Sequence, residues 1–179
     1  MTRNLFSKLI ALTAGIILLI VAYNHNQKSL YEISGTAYGT RWSITSTEYI
    51  SDLHKNNIIS IINRIDYVAS NYKKDSEIAL INFSQKNNFK ISNDLLNILT
   101  IAKDVEGSSN GFYNIMMAKV SSQLGFSPRF NNTLNQTNIS SYNIDTQNLI
   151  LSRDSSNWFD LSSIAKGYAV QCIHNYLKE

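Results

Sequence analysis

The stretch that decides the fold reads Phe159-Asp-Leu-Ser-Ser-Ile-Ala-Lys-Gly-Tyr-Ala-Val170, in which a short apolar run gives way to a helical pattern. We predict a strand over 158–161 and then a helix from Ile164, with an apolar face formed by Ile164, Tyr168, Ile173 and Leu177. The free N–H groups of a helix start, two serines and Lys166 suit a phosphate group. The spacing of a P-loop is absent, however, and the residues alone favour an ordinary serine cap with a solvated lysine.

In the rest of the chain, apolar residues recur at the spacing of helices in some segments and at the spacing of strands in others. Ile58, Ile62 and Ile65 recur at helical spacing, and Ser92 precedes another such run as a potential N-cap. We predict strands over 30–36, 40–48, 89–91, 142–145 and 148–152, helices over 52–71 and 92–105, a short helix from Ser76, a loop over 107–111 and a surface excursion over 129–138.

Composition excludes several classes of protein. The 179 residues include 10 Tyr, 7 Phe and 2 Trp, which argues against a disordered chain. A single Cys cannot form an internal disulfide, and three scattered His do not complete a zinc site. Without Arg3 and Lys8, the remaining 14 basic residues face 13 acidic ones, so no basic surface for nucleic acid is expected.

The N-terminus has the features of a membrane anchor. Leu9 to Tyr23 carries no charge, and Arg3 and Lys8 precede it. Because no good cleavage site and no lipid-accepting Cys follow, we predict an uncleaved signal anchor over 1–23 and a linker over 24–29. The basic residues would stay inside, which places the body over 30–179 on the exported side of the cytoplasmic membrane.

Five segments, in this order, resemble one family. They are Ser34-Gly-Thr-Ala-Tyr-Gly-Thr-Arg-Trp-Ser-Ile44, Ala69-Ser-Asn-Tyr-Lys-Lys-Asp-Ser-Glu-Ile78, Gly111-Phe-Tyr-Asn-Ile115, Leu124-Gly-Phe-Ser-Pro128 and the stretch quoted first. This series is similar to the motifs of the ApbE family, the FAD:protein FMN transferases. The resemblance implies a truncated α+β flavin-transferase domain. It further implies FAD as substrate, Mg²⁺ at the pyrophosphate, and transfer of FMN to a Thr or Ser of a target flavoprotein, such as a subunit of a redox-driven ion pump.

The resemblance also implies which residues contact the nucleotide. Tyr38 takes the place of a Met that contacts the flavin, and Tyr72 matches an aromatic residue that packs on the cofactor, although its helical spacing alone suggests a half-buried core position. Phe112, Tyr113 and Asn114 replace an Ala-Phe-Asp segment that lines the adenosine part of the site.

In the quoted stretch, the resemblance assigns two more cofactor contacts, Asp160 and Lys166. The main-chain oxygens near Ser163 and Ala165 are expected to help hold Mg²⁺. No catalytic residue is assigned.

The departures from the family leave three hypotheses open. Tyr38 and Phe112 add bulk, Asn114 lacks the charge of the family's Asp, and the family's later metal-binding segments do not follow. We therefore expect an FMN transferase that is weak or inactive as this chain, or a non-catalytic anchored protein that binds flavin nucleotide or serves as a scaffold. The third hypothesis is an exported interaction module whose resemblance to the family is ancestral only.

Overall fold

The computed structural model describes residues 2–26, 30–128 and 141–178, with the side chains of 6–24 in the first of these ranges. The predicted surface excursion over 129–138 lies outside them. The chain divides into two compact units. One holds the described residues up to Thr36 together with Arg41–Asp52, and the other holds Ala37–Thr40 together with the described residues from Leu53 onward.

The first unit contains a long helix and most of a β-hairpin. Helix α1 spans Thr2–Asn26, and its segment Phe6–Asn24 has a mean hydropathy of 2.1 over 19 residues, none of it buried. This length and apolarity match a signal sequence or a single membrane span. Strands β1 (Tyr31–Ala37) and β2 (Thr40–Ser46) pair with each other. A Cβ at Gly35 would lie 2.8 Å from the Trp42 ring, so glycine permits this ring to lie against the strand.

The second unit packs five helices around a small sheet. The helices are α2 (Asp52–Ala69), α3 (Glu77–Phe83), α4 (Asn93–Ser108), α5 (Ala118–Gln123) and α6 (Ser162–Lys178). The strands are β3 (Asn88–Lys90), β4 (Asn143–Asp145) and β5 (Ile150–Ser152), in the antiparallel order β3-β5-β4. Leu151 pairs with Phe89 on one side and with Ile144 on the other. The arrangement is an α+β fold, as expected.

The core lies where α2, α3, α4 and the central strand meet. Its fully buried side chains include Ile65, Ile78, Leu95, Ile98, Leu99, Leu151, Phe159 and Leu161. Burying each of these side chains contributes about 1.5–3 kcal/mol before the entropy of ordering is counted. The helices and strands that surround the site described below are therefore anchored by the same apolar contacts.

The helix starts follow the capping chemistry that the sequence indicated. Ser92 is the N-cap of α4, and its Oγ accepts a hydrogen bond from the N–H of Leu95 at 3.1 Å. Ser76 caps α3 in the same way through Ala79. Each such cap contributes about 1 kcal/mol.

The secondary structure differs from the predictions in three places. The predicted strand over 158–161 is reduced to an isolated bridge between Trp158 and Met117. The side chain of Asn82 takes the place of a partner strand there, since its Nδ2 donates to the carbonyl of Phe159 at 2.9 Å and its Oδ1 accepts from the N–H of Phe159 at 2.8 Å. The polar sequence of α5 gave no helical signal.

The third difference concerns α6, which was expected from Ile164 but begins at Ser162. Its fully buried residues are Ala165 and Ala169. Leu177, expected on its apolar face, is 46% exposed.

Candidate functional site

A cavity of about 660 Å³ opens in the second unit and is called the main cavity below. Its walls come from Tyr38 and Gly39, from residues 65, 66 and 69–73 at the end of α2, from Phe126, and from residues 162, 163, 165 and 166 at the start of α6. Its volume lies in the range typical of small-molecule sites, about 300–1,000 Å³. Four of the five sequence segments singled out above contribute to its wall.

Tyr38 reaches the cavity from a two-residue turn between β1 and β2. Tyr38 and Gly39 both have positive φ angles, 52° and 71°, as a tight hairpin turn requires at its two central positions. The Tyr38 hydroxyl donates a hydrogen bond to the carbonyl of Ile62 on α2 at 2.6 Å. Burial, and secondarily the Asp66 carboxylate, raise the pKa of Tyr38, so the hydroxyl stays protonated and keeps this bond at neutral pH.

The turn after α2 positions Tyr72 and Lys73. Ser70 directly follows the helix, and its Oγ accepts hydrogen bonds from the backbone N–H groups of Tyr72 and Lys73, both at 3.3 Å. The Tyr72 side chain is 70% exposed, and its hydroxyl donates to the carbonyl of Phe126 at 3.2 Å. Tyr72 therefore stands at the cavity mouth as an accessible aromatic face, and it is not the half-buried core residue that its spacing suggested.

The start of α6 is organised by Asp160. Its Oδ1 accepts the Ser162 N–H at 3.0 Å and the Ser162 hydroxyl at 2.6 Å, and its Oδ2 accepts the Ser127 hydroxyl. Burial alone would raise the pKa of Asp160, but the hydrogen bonds from Ser127 and Ser162 hold it below its ordinary value. Asp160 is therefore ionised at neutral pH, and it orients Ser162 on the cavity wall without lining the cavity itself.

Charge on the wall comes from two lysines and one carboxylate. Lys73 Nζ lies 2.6 Å from Asp66 Oδ2, so these two charges are paired. Lys166 lines the cavity in the second turn of α6, a helix of 17 residues. The backbone N–H groups of Ser162, Ile164 and Ala165 are already hydrogen-bonded within the protein, so Lys166 is the group on this part of the wall that favours an anion.

The donors for Mg²⁺ are insufficient in the described part of the chain. Across residues 2–26, 30–128 and 141–178, no three His, Cys, Asp or Glu side chains are grouped to hold a metal ion. Ser163 and Ala165 do line the cavity, but inside an α-helix their carbonyls accept N–H groups four residues further on. Mg²⁺ prefers several oxygen ligands, including carboxylates, and the one carboxylate on this wall, Asp66, is already paired with Lys73.

The structure brings most of the predicted site residues together. Tyr38, Tyr72, Ser163, Ala165 and Lys166 line the main cavity. Tyr113 does not line the cavity itself but contacts a residue that does. Its hydroxyl and the Ser163 hydroxyl are 2.8 Å apart and hydrogen-bonded.

Phe112 and Asn114 do not line this cavity. Phe112 is 95% exposed, so it adds no bulk inside. Asn114 uses its amide elsewhere: Nδ2 donates to Glu106 Oε1 at 3.2 Å, and Oδ1 accepts the Met116 N–H at 2.8 Å. Contact between these two residues and a nucleotide stays a prediction that this geometry does not support.

A second cavity of about 360 Å³ lies between α3 and β3 and is called the α3–β3 cavity. Glu77, Ile81 and Lys86 are among its lining residues, and it includes none of the residues that the sequence singled out for the site. It is smaller than the main cavity, and its one aromatic side chain is Phe89. We therefore place the candidate site at the main cavity.

Sequence reasoning missed several residues of the main cavity. Asp66, Asn71 and Lys73 line it, and so does Phe126. Asn71, Lys73 and Phe126 sit within the quoted segments, where their place beside Tyr72 or in the Leu124-Gly-Phe turn was the available signal. The sequence gave no such signal for Asp66, because an Asp in the last turn of an amphipathic helix normally faces solvent.

Comparison with known proteins gives one consistent result. The sequence profile of the ApbE family matches residues 38–179. The fold is similar to the flavin transferase ApbE from Vibrio cholerae, with a TM-score of 0.74 and 23% identity, covering 84% of this chain and 53% of that one. No curated protein sequence matches the chain closely enough to count as a relative.

Two further solved structures show the same fold. The apo form of the flavinyl transferase ApbE from Pseudomonas stutzeri has a TM-score of 0.72 and 17% identity, over 85% of this chain and 56% of that one. The ApbE protein from Thermotoga maritima has a TM-score of 0.67 and 18% identity, over 82% and 52%. The chain thus spans about half the length of the solved proteins it matches.

Proposed function

The chain belongs to the ApbE family, which uses FAD and Mg²⁺, and from this membership we propose that its main cavity binds FAD as the nucleotide-binding part of an FMN transferase. The observation that carries the proposal is the convergence of Tyr38, Tyr72 and Lys166 on one cavity of suitable size. These residues come from three separate segments, and each matches a cofactor-contacting position of the family.

The cavity wall has an aromatic part and a cationic part, which match the flavin ring and the pyrophosphate of FAD. Tyr72 and Phe126 are 70% and 74% exposed, and such rings stack on a planar heterocycle such as the flavin. Lys166, Ser162 and Ser163 line the cavity at the start of α6, where the lysine cation favours the pyrophosphate. Tyr113 keeps the Ser163 hydroxyl in place through their hydrogen bond.

The reaction would be transfer of a phosphoryl-linked group. The Thr or Ser hydroxyl of a target protein attacks the phosphorus of the FMN moiety, the bond to the bridging oxygen breaks, and AMP leaves as the hydroxyl loses its proton. The protein's part in such a reaction is mainly to position the substrate and to neutralise charge on the phosphates. Lys166 supplies that positive charge here.

This chain alone should bind FAD but transfer FMN weakly or not at all. A bound Mg²⁺ would neutralise charge on the phosphates during such a transfer. The described residues bring one carboxylate to the cavity, and Lys73 neutralises it. We therefore expect this protein to bind FAD without transferring FMN efficiently.

The test is a titration of the full chain, in detergent, with FAD, in which flavin fluorescence reports binding. Lys166→Gln should weaken binding about three- to tenfold, since an exposed charged contact contributes less than a buried one. Lys178→Gln is the matched control, because it removes the same charge from the same helix outside the cavity wall. Absence of FAD binding, or equal affinity of the two variants, would contradict the proposal.

A second candidate is a non-catalytic flavin-nucleotide-binding or scaffold protein, and the small set of metal ligands favours it. The two candidates differ in one readout. After incubation with FAD, Mg²⁺ and a target domain, a transferase leaves flavin fluorescence on the denatured target, and a binding protein does not.

The apolar helix α1 suggests where this activity takes place. We propose that α1 anchors the chain in the cytoplasmic membrane, with Arg3 and Lys8 on the inner side and the body over 30–179 exported. The partner would then be an exported flavoprotein domain, such as a subunit of a redox-driven ion pump.

A further inference from the structure

Strand β3 lies at the edge of its sheet, beside the α3–β3 cavity. It is the outer strand in the order β3-β5-β4, and its residues Asn88, Phe89 and Lys90 line that cavity. An edge strand presents a row of backbone N–H and C=O groups that can pair with another chain. The pairing of β3 with β5 determines which of these groups point outward.

The hydrogen bonds at the two ends of β3 show this pairing. The Ile91 N–H donates to the carbonyl of Leu149, and the Arg153 N–H donates to the carbonyl of Asn87, both at 2.8 Å. Hydrogen-bonded and non-hydrogen-bonded pairs alternate along an antiparallel ladder, so residues 87, 89 and 91 bond to the β5 side.

The two residues between them therefore turn their backbone groups outward. The N–H and C=O groups of Asn88 and Lys90 point to the outer edge, away from β5, and both residues are exposed. This edge thus offers two donors and two acceptors to an extended chain.

The cavity beside this edge combines apolar side chains with two cations. Leu80, Ile81 and Phe89 provide the apolar surface, and Lys86 and Lys90 provide the positive charges. In the described part of the chain, neither lysine forms an ion pair.

Glu77 is the acidic residue on the same wall, and its carboxylate is already hydrogen-bonded. Oε1 accepts the Ser92 N–H at 2.7 Å, and Oε2 accepts the Ser92 hydroxyl at 2.5 Å. Its charge offsets one of the two lysines, so the wall keeps an excess of one positive charge.

We propose that the β3 edge and the α3–β3 cavity bind an extended segment of a partner protein in which acidic and apolar residues alternate. The segment pairs as an added strand with the outward groups of Asn88 and Lys90. Side chains alternate between the two faces of a strand, so Lys90 and Phe89 lie on opposite faces. Acidic side chains of the segment therefore lie beside the lysine, and apolar ones lie beside Phe89.

The same charges disfavour a second copy of this chain at the edge. Two β3 strands side by side would bring the lysines of both copies together, and like charges on neighbouring strands destabilise pairing. Lysines on edge strands protect sheets against such self-association. An acidic strand removes the repulsion, so Lys86 and Lys90 select the charge of the partner. This inference does not depend on FAD binding in the main cavity.

The experiment titrates the full chain, in detergent, with a fluorescently labelled peptide, Glu-Val-Glu-Val-Glu, and measures its anisotropy. We expect saturable binding that weakens as salt is added, because salt screens exposed charges. A peptide ordered Glu-Glu-Glu-Val-Val keeps the charge without the alternation and should bind more weakly. The alternating peptide with N-methylated backbone amides cannot donate hydrogen bonds to β3 and should not bind.

Two pairs of variants separate the backbone contact from the charge. Asn88→Pro removes an outward N–H and leaves the bonds to β5, so it should weaken binding about tenfold, whereas Asn88→Ala should bind like the parent. Lys86→Gln with Lys90→Gln should weaken binding about three- to tenfold at low salt. Lys55→Gln with Lys178→Gln is the matched control, because it removes the same charge from exposed positions outside this wall.

Absence of saturable binding, equal binding of the N-methylated peptide, or unchanged affinity in the variant that lacks both wall lysines would overturn the inference. Self-association of the parent chain that Asn88→Pro abolishes would place a second copy at the edge and would also overturn it. The N-methylated peptide tests the backbone contact in the parent, so the test does not require Asn88→Pro to fold. A chain that binds the alternating peptide but not FAD would contradict only the proposed function.

Discussion

Asn114→Asp restores the residue type that the family pattern has at this position, and the structure predicts that it destabilises the protein. Asn114 Nδ2 lies 3.2 Å from Glu106 Oε1 and donates a hydrogen bond to it. The new carboxylate would put an oxygen in place of that donor, facing the Glu106 carboxylate. The Met116 N–H would keep its acceptor, so the change is confined to the contact with Glu106.

The size of the effect follows from the distance and the exposure of the two groups. Two unit charges about 4 Å apart repel by about 1–4 kcal/mol when the effective dielectric constant lies between about 80 and 20. Asn114 and Glu106 are both half-buried, so solvent screens part of this repulsion and we expect about 1–2 kcal/mol. That corresponds to a fall in Tm of about 3–6 °C for a protein of this size.

Thermal unfolding of the parent and the variant at pH 7 checks this. The double variant Asn114→Asp, Glu106→Gln should recover most of the loss at pH 7. Since Asn114 lies outside the main cavity, FAD affinity should stay unchanged; unchanged stability together with tighter FAD binding would refute this reasoning and place Asn114 at the nucleotide.

Three other predictions concern a carboxylate, a buried cation and the anchor. Asp160→Asn should cost about 2 kcal/mol at neutral pH, because charge-assisted hydrogen bonds to Ser127 and Ser162 are weakened. Because the pKa of Asp160 is lowered in the folded state, the stability difference between parent and variant in denaturant titrations should shrink as the pH falls below about 4; a constant difference down to pH 2 would contradict this. Arg153→Met should cost about 3 kcal/mol or more in the same assay, because the buried guanidinium donates to the carbonyls of Ile81 and four other residues; a loss below about 1 kcal/mol would count against this role. A reporter that is active only after export, fused at Glu179, should be active and fractionate with membranes, and a soluble cytoplasmic product would exclude the anchor.

The sequence predicted most elements that depend on local periodicity and capping. Helix α2 was expected over 52–71 and spans Asp52–Ala69, and the N-cap at Ser92 is confirmed. The strand expected over 158–161 is reduced to a single bridge, because the backbone N–H and carbonyl of Phe159 pair with the Asn82 side chain, 77 residues away in the chain. No local pattern reveals a partner that a distant helix supplies.

The candidate site was predictable in part, for a related reason. The motif residues that contribute to the cavity wall come from tight turns and a helix start, where backbone geometry fixes their direction; Tyr38, Tyr72 and Lys166 are of this kind. Asn114 and Phe112 follow Gly111, which has a positive φ of 81°, and the side chains beyond this turn point to Glu106 and to solvent. The motif order alone does not indicate that direction.

The central claim is that FAD binds in the main cavity, and hydrogen–deuterium exchange of the full chain with and without FAD tests it most directly. We expect FAD to slow exchange in peptides that cover 66–73 and 162–167, with no change in peptides over 84–90, which line the α3–β3 cavity. Protection confined to 84–90, or no protection at saturating FAD, would contradict the account.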